Sequence, residues 1–556
     1  MSVNIEVVDM FPDLRSFYRL GEVIEITALP RGTARVIARM SSGRAVEATL
    51  GGGAKFDSLG SGTYGIEALN AAGEIVAEEF TTVGHDQGER PVHGFATSFG
   101  FDDVSAVIAW HRALRSTVVQ IYDWMSSYTE PLGPASGWTD PSNRPVSFDA
   151  LRALASGLHE LGAVAHAYAP VYAVGNNFAA EHPDMLLYED NGQAIRFLDQ
   201  IVLANPGNEE WQRHFSESYG SAMDAIGFDG LHVDTYGYPR VSNDATGQPV
   251  DLRDAYESFL VHLRAQRPSD LISFNQVNGV PSAARLPEGP TFRYCEVWPP
   301  NDRWRHFEGL LDRSSGRAGL VDDRQTRHPL LRGSIACYPP VWGIDAPDGP
   351  IRDDEREDAL RTVVLTEAIV TCLGGSSLIY GDVRAALCDP YYPKHMRLQE
   401  AEANKVVAWR RFSLRCRDLF SNGEDTSWYE IGDENGSVSI SADGPVWPEP
   451  EGGSLFARVN HGDGIVSIGV VDLTGSKSAK WSERTAAGTI SSVKVRVLLD
   501  HPDAWRVHAA VLGSRDDRFF RIESAVVSHR QGRALEMDLP LVDGWSVLRL
   551  TKEPLE

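Results

Sequence analysis

The sequence predicts a central (β/α)8 TIM barrel flanked by an N-terminal and a C-terminal β-sandwich domain. Roughly the first eighty residues contain short strands separated by Gly and Ser turns, which are typical of a small sandwich. Helix-spaced apolar residues then alternate with β-branched runs over about 320 residues, the pattern of a parallel barrel. From about residue 424 the strand pattern returns alone. The predicted domains are residues 1–88, an immunoglobulin-like β-sandwich, 89–422, the barrel, and 423–556, a second β-sandwich.

The N-terminal domain is predicted from three strands and a linker. The strands are VIEI at 23–26, ARVIARM at 34–40 and TYGIEA at 63–68, each rich in β-branched or aromatic residues. Residues 84–91 (GHDQGERP) form a polar segment that ends in proline, and few of its side chains can pack. We therefore expect this segment to link the first two domains.

Eight strands are predicted to alternate with helices in the barrel. The strands are predicted at residues 94–99, 116–122, 163–169, 230–234, 272–275, 292–296, near 331 and at 376–380. The helices are predicted at residues 104–114, 151–161, 209–225, 252–264 and 354–368. The C-terminal sandwich is predicted from strands at residues 438–440, 464–473, 493–499 and 546–550.

The acidic composition disfavours polyanionic partners. The 556 residues include 52 Lys and Arg against 77 Asp and Glu, a formal net charge of −25. Nucleic acid and anionic membrane surfaces attract clustered Lys and Arg, and the sequence has no such run, so we expect neither partner. It contains no apolar run of about 18 residues that would span a membrane, and no export signal is recognisable near residue 1. We therefore expect a cytoplasmic protein.

Metal and cofactor motifs are not found in the sequence. It has no HExxH motif, no Walker loop and no clustered His and Cys set, so no cofactor is expected. Five widely spaced cysteines without a CxxC pair favour reduced core thiols over a disulfide framework or a zinc site.

Two strands of the predicted barrel end in a carboxylate. Asp234 ends the fourth strand and Glu296 the sixth, and the active sites of such barrels lie at the carboxyl ends of strands. Period-two alternation puts His232 on the face of Asp234 and turns Cys295 towards the helices. Cleavage of a glycosidic bond requires two such groups, one ionised at the anomeric carbon and one protonated at the leaving oxygen. The alternative is that they are a turn former and half of an ion pair.

Several motifs occur in a recognisable order along the barrel. They are VQIYDW at 119–124, GFDGLHVDTYG at 227–237, FNQVNG at 274–279 and YCEVWP at 294–299. Shorter matches are NPGNEEW at 205–211, the glycines and GD within 374–382, and YYP at 391–393. Together these motifs resemble glycoside hydrolase family 66, the dextranases and cycloisomaltooligosaccharide glucanotransferases, over residues 92–420.

The resemblance implies a mechanism and a substrate class. It implies that Asp234 is the nucleophile and Glu296 the general acid/base of a retaining double displacement through a covalent glycosyl-enzyme. Tyr122 and Asp123 resemble the strand-two pair that helps to form the sugar pocket, and Asp382 occupies the place of an acidic residue at strand eight. The implied substrate is an α-1,6-linked glucan, such as dextran-derived isomaltooligosaccharides, or a related α-glycoside.

Other candidate binding residues have two interpretations. Three aromatic residues are either stacking platforms for a sugar ring or core residues: Trp124, Tyr236 and Trp298. Asn275 and Asn278 match family positions near the pocket, but Asn278 also begins an Asn-Gly turn signal. For His232, a hydrogen bond within the site is favoured over direct contact with the substrate.

The third predicted strand departs from the family pattern. The family carries a Tyr-Asn pair, whereas here Tyr168 is followed by Ala169, and we predict the loss of one polar contact to the sugar. The glucanotransferases carry a sugar-binding module inserted in the barrel, for which about 320 barrel residues leave little space. Hydrolysis is therefore favoured over cyclisation.

Alternative functions stay open at this point. One is a transglycosylase, cyclising or chain-transferring, on the same barrel, and another is a non-catalytic oligosaccharide-binding protein. A metal-dependent or phosphate-binding barrel ranks last because its motifs are missing. The expected partner is an oligosaccharide, and formation of a homo-oligomer is left open.

Overall fold

The computed structural model is a mixed α/β protein built from several sheets. It describes residues 10–197, 200–235, 241–280, 286–314, 333–339, 353–421, 424–425, 431, 436–462, 464–513 and 518–552. The α-helices in these residues are α1 Phe101–Leu114, α2 Phe148–Glu160, α3 Asn176–Glu181, α4 Glu209–Ile226, α5 Leu252–Gln266, α6 Phe307–Ser314, α7 Asp353–Cys372, α8 Glu400–Cys416 and α9 Asp418–Ser421.

The N-terminal region forms two small sheets around one apolar core. Its strands are β1 Phe17–Arg19, β2 Ile24–Ile26, β3 Arg35–Met40, β4 Ala45–Glu47, β5 Thr49–Leu50, β6 Ala54–Phe56, β7 Gly62–Leu69 and β8 Ile75–Gly84. One sheet has the order β1-β8-β7-β3-β4 and the other β2-β6-β5. Alternate side chains of both sheets, such as Ile24, Val36 and Ile66, are buried between them.

The central region supplies the strands of the largest sheet and several small ones. They are β9 His93–Ala96, β10 Val118–Ile121, β11 Trp138–Thr139, β12 Pro145–Val146, β13 Val164–Pro170, β14 Ala173–Val174, β15 Arg196–Phe197, β16 Ile201–Leu203, β17 Gly230–Asp234, β18 Val241–Asn243, β19 Pro249–Asp251, β20 Leu271–Asn275, β21 Thr291–Glu296, β22 Ser334–Ala336, β23 Ser376–Leu378, β24 Tyr380–Gly381, β25 Ala385–Ala386 and β26 Met396–Arg397.

The largest sheet is curled and has eleven strands. Its order is β23-β22-β21-β20-β17-β13-β10-β9-β24-β25-β26, and the strands from β9 to β23 pair in parallel with their neighbours. Only Ile379 separates β23, at one end of this order, from β24, which pairs in parallel with β9. The two ends of the parallel run therefore lie one residue apart in the chain.

Helix α4 directly precedes β17, the strand that ends in Asp234. Asn208 begins the helix by accepting the backbone N–H of Trp211 at 3.0 Å through its side chain. Gly227 ends it at φ 93°, a left-handed conformation that glycine adopts without steric cost. Trp211 and Tyr219 of this helix are fully buried against the sheet layer, so helix and strand form one packed unit.

The C-terminal region is formed by strands in two larger sheets. Its strands are β27 Glu424–Asp425, β28 Val438–Ser441, β29 Val446–Trp447, β30 Leu455–Gly462, β31 Ile465–Asp472, β32 Ser492–Leu498, β33 Trp505–Val511, β34 Phe520–Arg521, β35 Ala525–His529, β36 Gly532–Pro540 and β37 Trp545–Lys552. One sheet has the order β27-β30-β31-β37-β33-β34 with β29 paired to β30, and the other β28-β32-β36-β35. Buried aliphatic side chains from both sheets share one core cluster, including Val470 and Val495.

The C-terminal region docks directly on the helices of the centre. The ring of Trp545 lies 4.7 Å from that of Phe412 on α8, and both side chains are fully buried. Gly469 lies so close to α7 that an added Cβ would stand 2.7 Å from the Cys372 sulfur. Only glycine permits this approach of a strand to the helix.

The N-terminal region is joined to the centre by a buried ionic cluster. Asp418 accepts a hydrogen bond from the backbone N–H of Thr63 at 2.8 Å and forms an ion pair with Arg90 at 2.5 Å. Arg417 donates to the Thr63 hydroxyl at 2.9 Å and to the Arg90 carbonyl. These side chains are at most 4% exposed, so each charge depends on its partners for solvation.

The predicted elements and the observed ones differ mainly at their ends. The first barrel strand is shorter than predicted, and the last is interrupted at Ile379. The seventh strand, expected near residue 331, lies at Ser334–Ala336, while Leu331 itself is outside the described residues. In the part of the chain that the structure describes, no helix is long and apolar enough to cross a membrane.

Replacing Asp418 with Ala should destabilise the protein by about 3 kcal/mol, because the buried Arg90 then loses this carboxylate. The measurement is urea unfolding followed by tryptophan fluorescence. The matched control is Glu47→Ala, which removes an ion pair whose two side chains are about half exposed and should leave the midpoint nearly unchanged. Equal midpoints for the Asp418 variant and the wild type would contradict this role of the cluster.

Candidate active site

Two carboxylates and one amide end three adjacent strands of the large sheet. Asp234 ends β17, Asn275 ends β20 and Glu296 ends β21, and β20 lies between the other two strands. Because parallel strands end at the same edge of a sheet, the three side chains project from one edge. The middle position of Asn275 allows it to reach both neighbours.

The side-chain amide of Asn275 bridges the two carboxylates. Its nitrogen donates to Asp234 Oδ1 at 2.6 Å and to Glu296 Oε2 at 3.0 Å, and its oxygen accepts the backbone N–H of Glu296 at 3.2 Å. The two carboxylate oxygens are therefore at most 5.6 Å apart, the sum of the two distances from the shared nitrogen. Asn275 is fully buried, so its orientation is held by the surrounding packing.

Each carboxylate also receives a hydrogen bond from a tyrosine. Tyr168 on β13 donates to Asp234 Oδ2 at 2.7 Å, and Tyr338, two residues after β22, donates to Glu296 Oε1. Burial, followed by the charge of the neighbouring carboxylate, raises the pKa of both phenols well above 10, so each remains a donor. Asp234 Oδ1 also accepts the backbone N–H of Thr235 at 2.9 Å.

The carboxyl pair favours a state with one proton. Burial raises the pKa of both groups, and the charge of Glu296 raises that of Asp234 further. Hydrogen bonds from Asn275, Tyr168 and the Thr235 backbone stabilise an ionised Asp234, and those from Asn275 and Tyr338 stabilise an ionised Glu296. We therefore expect the two groups to hold one proton between them near neutral pH.

A polar layer lies beneath the carboxylates. His232, two residues before Asp234, is 2.7 Å from the Tyr294 hydroxyl through Nε2 and 3.3 Å from the Ser273 hydroxyl through Nδ1. Burial, with the nearby His166 and His93, lowers the pKa of His232 well below 6.5, so the ring is neutral. His232 holds the inner layer in place and has no hydrogen bond to either carboxylate among the described contacts.

Tyrosine rings form one wall beside the carboxylates. Tyr122, directly after β10, stacks on Tyr392 with ring centroids 4.4 Å apart and contacts Tyr168 at 4.7 Å. Tyr392 also lies 6.2 Å from Tyr338, edge to face. The wall thus connects Tyr168 with Tyr338, the two residues that donate to the carboxylates.

Asp123 is a third carboxyl group close to this wall. It has φ 50°, a left-handed conformation uncommon for a residue with a side chain, and is 9% exposed. Burial raises its pKa to about 7, against a smaller lowering by Arg144. Arg144 is shared with Asp140, which accepts from it at 2.8 Å.

Some predicted site residues lie elsewhere. The prediction of Trp124 as a stacking platform is wrong, because the ring is fully buried between Tyr219 and Phe228 and donates to the Tyr168 carbonyl at 3.1 Å. Trp124 is a core residue, the other interpretation that the sequence allowed. Asp382 is 1% exposed and joins β24 to the end of β9 by accepting from the Thr97 backbone N–H at 3.0 Å.

The residues after β21 are held by a turn. Asn278 has φ 53° and accepts the backbone N–H of Trp298 at 2.8 Å through its side chain. Trp298 is partly exposed and lies 6.3 Å from Tyr338, at the rim of the site. Tyr236 lies outside the described residues.

The expected effect of Ala169 does not follow from the structure. Ala169 is in register with Val233, whereas Tyr168 is in register with His232 and faces the carboxylates. Because successive side chains point to opposite faces, Ala169 faces the helices, where it is fully buried. Cys295, on the opposite face from Glu296, is likewise fully buried in the core.

Sequence reasoning missed Tyr338 and the bridging geometry of Asn275. Tyr338 follows the short strand β22, whose weak pattern hid the strand end from which a site residue projects. The available signal was its place two residues beyond an apolar run, which is typical of a residue at the rim of a parallel sheet. In the described part of the chain, no three His, Cys, Asp or Glu side chains are arranged to hold a metal ion.

Two buried carboxyl groups that share one proton at neighbouring strand ends are an arrangement that glycosidases use. The model of Glycosyl hydrolase family 66 matches residues 61–548. The chain belongs to this family.

Named relatives support the assignment to the family. The Dextranase of Streptococcus salivarius is 22% identical over 422 residues, which is 66% of this chain and 49% of the dextranase. A Cycloisomaltooligosaccharide glucanotransferase of Niallia circulans is 25% identical over 224 residues, 36% of this chain and 23% of that protein. The aligned regions thus span less than half of these relatives' own length.

A solved structure shows the same fold. The crystal structure of the Paenibacillus sp. cycloisomaltooligosaccharide glucanotransferase complexed with cycloisomaltoheptaose matches with a TM-score of 0.76 at 16% identity. The match covers 96% of this chain and 98% of that chain.

Replacing Asp123 with Asn should stabilise the protein above pH 7. A carboxyl group with a pKa of about 7 in the folded state, against an ordinary 3.8, binds its proton more tightly when folded. Its contribution to stability is complete below pH 3.8 and is lost as the pH rises through 7, by up to about 4 kcal/mol. The amide of Asn carries no titratable proton, so the Asp123→Asn variant does not lose this stability as the pH rises.

The measurement is the free energy of unfolding at pH 5 and at pH 8 for Asp123→Asn and wild type. The stabilisation should be larger at pH 8. The matched control is Asp57→Asn, on a side chain that is 84% exposed, which should show no such difference. A stabilisation independent of pH would contradict the raised pKa of Asp123.

Proposed function

We propose that the protein is a retaining glycoside hydrolase that cleaves α-1,6-glucosidic linkages in isomaltooligosaccharides. The observation that carries this proposal is the separation of at most 5.6 Å between the bridged oxygens of Asp234 and Glu296. Retaining enzymes hold their carboxyl groups about 5–5.5 Å apart, whereas inverting enzymes need about 6.5–9.5 Å to admit a water between them. The names of the relatives support the linkage.

The first step forms a covalent intermediate. An Asp234 oxygen attacks the anomeric carbon, the bond from that carbon to the glycosidic oxygen breaks, and Glu296 gives its proton to the departing oxygen. In the second step Glu296, now ionised, takes a proton from water, whose oxygen attacks the same carbon and releases Asp234. Asn275 maintains a hydrogen bond to both groups while the charge moves between them.

The sugar pocket is proposed to lie along the tyrosine wall. Tyr122 presents its ring beside the carboxylates, Trp298 lies at the rim, and Asp123 supplies a buried carboxyl group to a sugar hydroxyl. Asp382 holds the end of β9 in place through its hydrogen bond to Thr97.

The architecture is proposed to be a (β/α)8 barrel between two β-sandwich domains. The parallel pairing from β9 to β23 and the pairing of β24 with β9 support closure of the barrel. The paired sheets before residue 89 and after residue 422 support the two sandwiches.

A glucanotransferase is the second candidate function. Two relatives carry this name, and transfer needs the same covalent intermediate with a sugar hydroxyl in place of water. Both candidates use Asp234 and Glu296, so the fate of the intermediate separates them.

Asp234→Ala and Glu296→Gln should each lower turnover of isomaltooligosaccharides by several orders of magnitude, because each removes one of the two required groups. The assay is mass spectrometry in ¹⁸O-water with α-1,6, α-1,3 and α-1,4 gluco-oligosaccharides, with NMR of the first-formed anomer. We expect ¹⁸O in the products and retention of the α-configuration. Circular dichroism verifies folding of the variants.

Products without ¹⁸O would indicate transfer and contradict hydrolysis. Inversion of the anomer, or near-normal turnover by either variant, would contradict the mechanism. An unreacted α-1,6 panel with cleavage of another linkage would contradict the substrate.

Tyr338→Phe should move the alkaline limb of the pH–activity profile upward by about one pH unit. The Tyr338 hydroxyl stabilises the ionised form of Glu296, so its removal raises the pKa of the proton donor further. Activity is lost as the pH rises through that pKa, and the variant therefore stays active at higher pH. The control is Tyr188→Phe, which loses only a bond to the Pro183 carbonyl. An alkaline limb that is unmoved, or that moves to lower pH, would contradict this role of Tyr338.

A further inference from the structure

A cationic cavity lies where the three regions of the chain meet. It has a volume of about 250 Å³ and is lined by residues of the N-terminal sheet, of α8 and of the C-terminal region. Four arginines and two glutamates line it, a net charge of +2 in a chain whose formal charge is −25: Arg39, Arg415, Arg518, Arg549, Glu67 and Glu78.

Among the described residues, the two glutamates pair with three of the four arginines. Arg39 pairs with Glu67 through three hydrogen bonds, of 2.8 Å, 3.0 Å and 2.9 Å. Glu78 is shared by Arg415 and Arg518, and the latter lies 3.4 Å away. One carboxylate therefore serves two guanidinium groups.

Arg549 has no carboxylate partner among the described residues, although it is only 6% exposed. Its one hydrogen bond there goes to the Ser41 carbonyl at 2.6 Å, and its guanidinium lies 4.3 Å from the centre of the Phe519 ring. Its Nε is buried without a partner. Burial, followed by the charge of Arg39, lowers its pKa to about 10, so it still carries its charge at neutral pH.

We propose that this cavity binds a small tetrahedral oxyanion of the phosphate class, either free phosphate or the phosphate group of a small sugar phosphate. Arg549 is the central ligand, with Arg518 beside it and His508 on the adjoining strand. A planar guanidinium matches the oxygens of such a group with paired hydrogen bonds, and a buried unpaired charge is costly without a counterion. The volume suits a small ligand and excludes a polymer.

The bound anion would join the three regions of the chain. Arg39 lies on β3, Arg415 on α8 and Arg549 on β37, and one oxyanion can accept from guanidinium groups of different elements. The site is separate from the carboxyl pair, because none of its lining residues belongs to the strand ends that hold Asp234 and Glu296.

The test is isothermal titration of the full chain with inorganic phosphate and, separately, with a hexose monophosphate, in chloride buffer of constant ionic strength. We expect saturable binding at one site per chain. Arg549→Gln should weaken it at least about tenfold, the loss of one charge-assisted bond, and Arg518→Gln should weaken it in the same direction. The matched control is Arg496→Gln, a partly exposed C-terminal arginine paired with Glu536 outside the cavity, which should bind as wild type does.

The two ligands and the role of Arg549 are separated by further arms. A hexose monophosphate that displaces phosphate while the free hexose does not identifies the sugar phosphate as the better ligand, and the reverse order identifies free phosphate. The Tm in chloride should not fall in Arg549→Gln, because an unneutralised buried charge has been removed. If the Arg549→Gln variant does not fold, phosphate binding by the Arg518→Gln variant tests the proposal in its place. Absence of phosphate binding, or equal binding by the two arginine variants and wild type, would overturn the proposal.

Discussion

The active site depends on one side-chain amide. The two hydrogens of Asn275 Nδ2 are directed to two different carboxylates, which sets a limit on their separation and compensates both for lost solvation. The amide can take this position only because β20 lies between the strands that carry Asp234 and Glu296. The register and the strand order of the sheet thus set the distance between the two carboxyl groups.

Burial of two carboxyl groups costs free energy of folding, and hydrogen bonds from the surrounding residues reduce that cost. Tyr168 and Tyr338 each donate to one carboxylate, and neutral His232 and Tyr294 fill the layer below without adding charge. The pair can then hold one proton at neutral pH, which is the state that acid-assisted displacement at an anomeric carbon requires. A site with two buried carboxyl groups is less stable than a neutral core would be.

The N-terminal and C-terminal regions make buried contacts with the central region. The buried cluster around Asp418 ties the N-terminal sheet to α9, and Trp545 packs the C-terminal sheet against α8. Rigid contacts on both sides constrain the helices behind the catalytic sheet. The cationic cavity lies at the same junctions, where arginines from separate elements meet and Arg549 has no carboxylate partner among the described residues.

The sequence by itself determined the alternation of strands and helices, the two strands that end in Asp234 and Glu296, and, through its motifs, the family that the comparison confirmed. These features are local, because periodicity and strand ends are properties of a few neighbouring residues. Only the tertiary structure decided that Asn275 bridges the acids, that Tyr338 reaches Glu296, and that Trp124 is buried. Those outcomes depend on strand order, on register and on helices distant in the chain, and a shift of one residue in register would turn each strand's side chains to the other face.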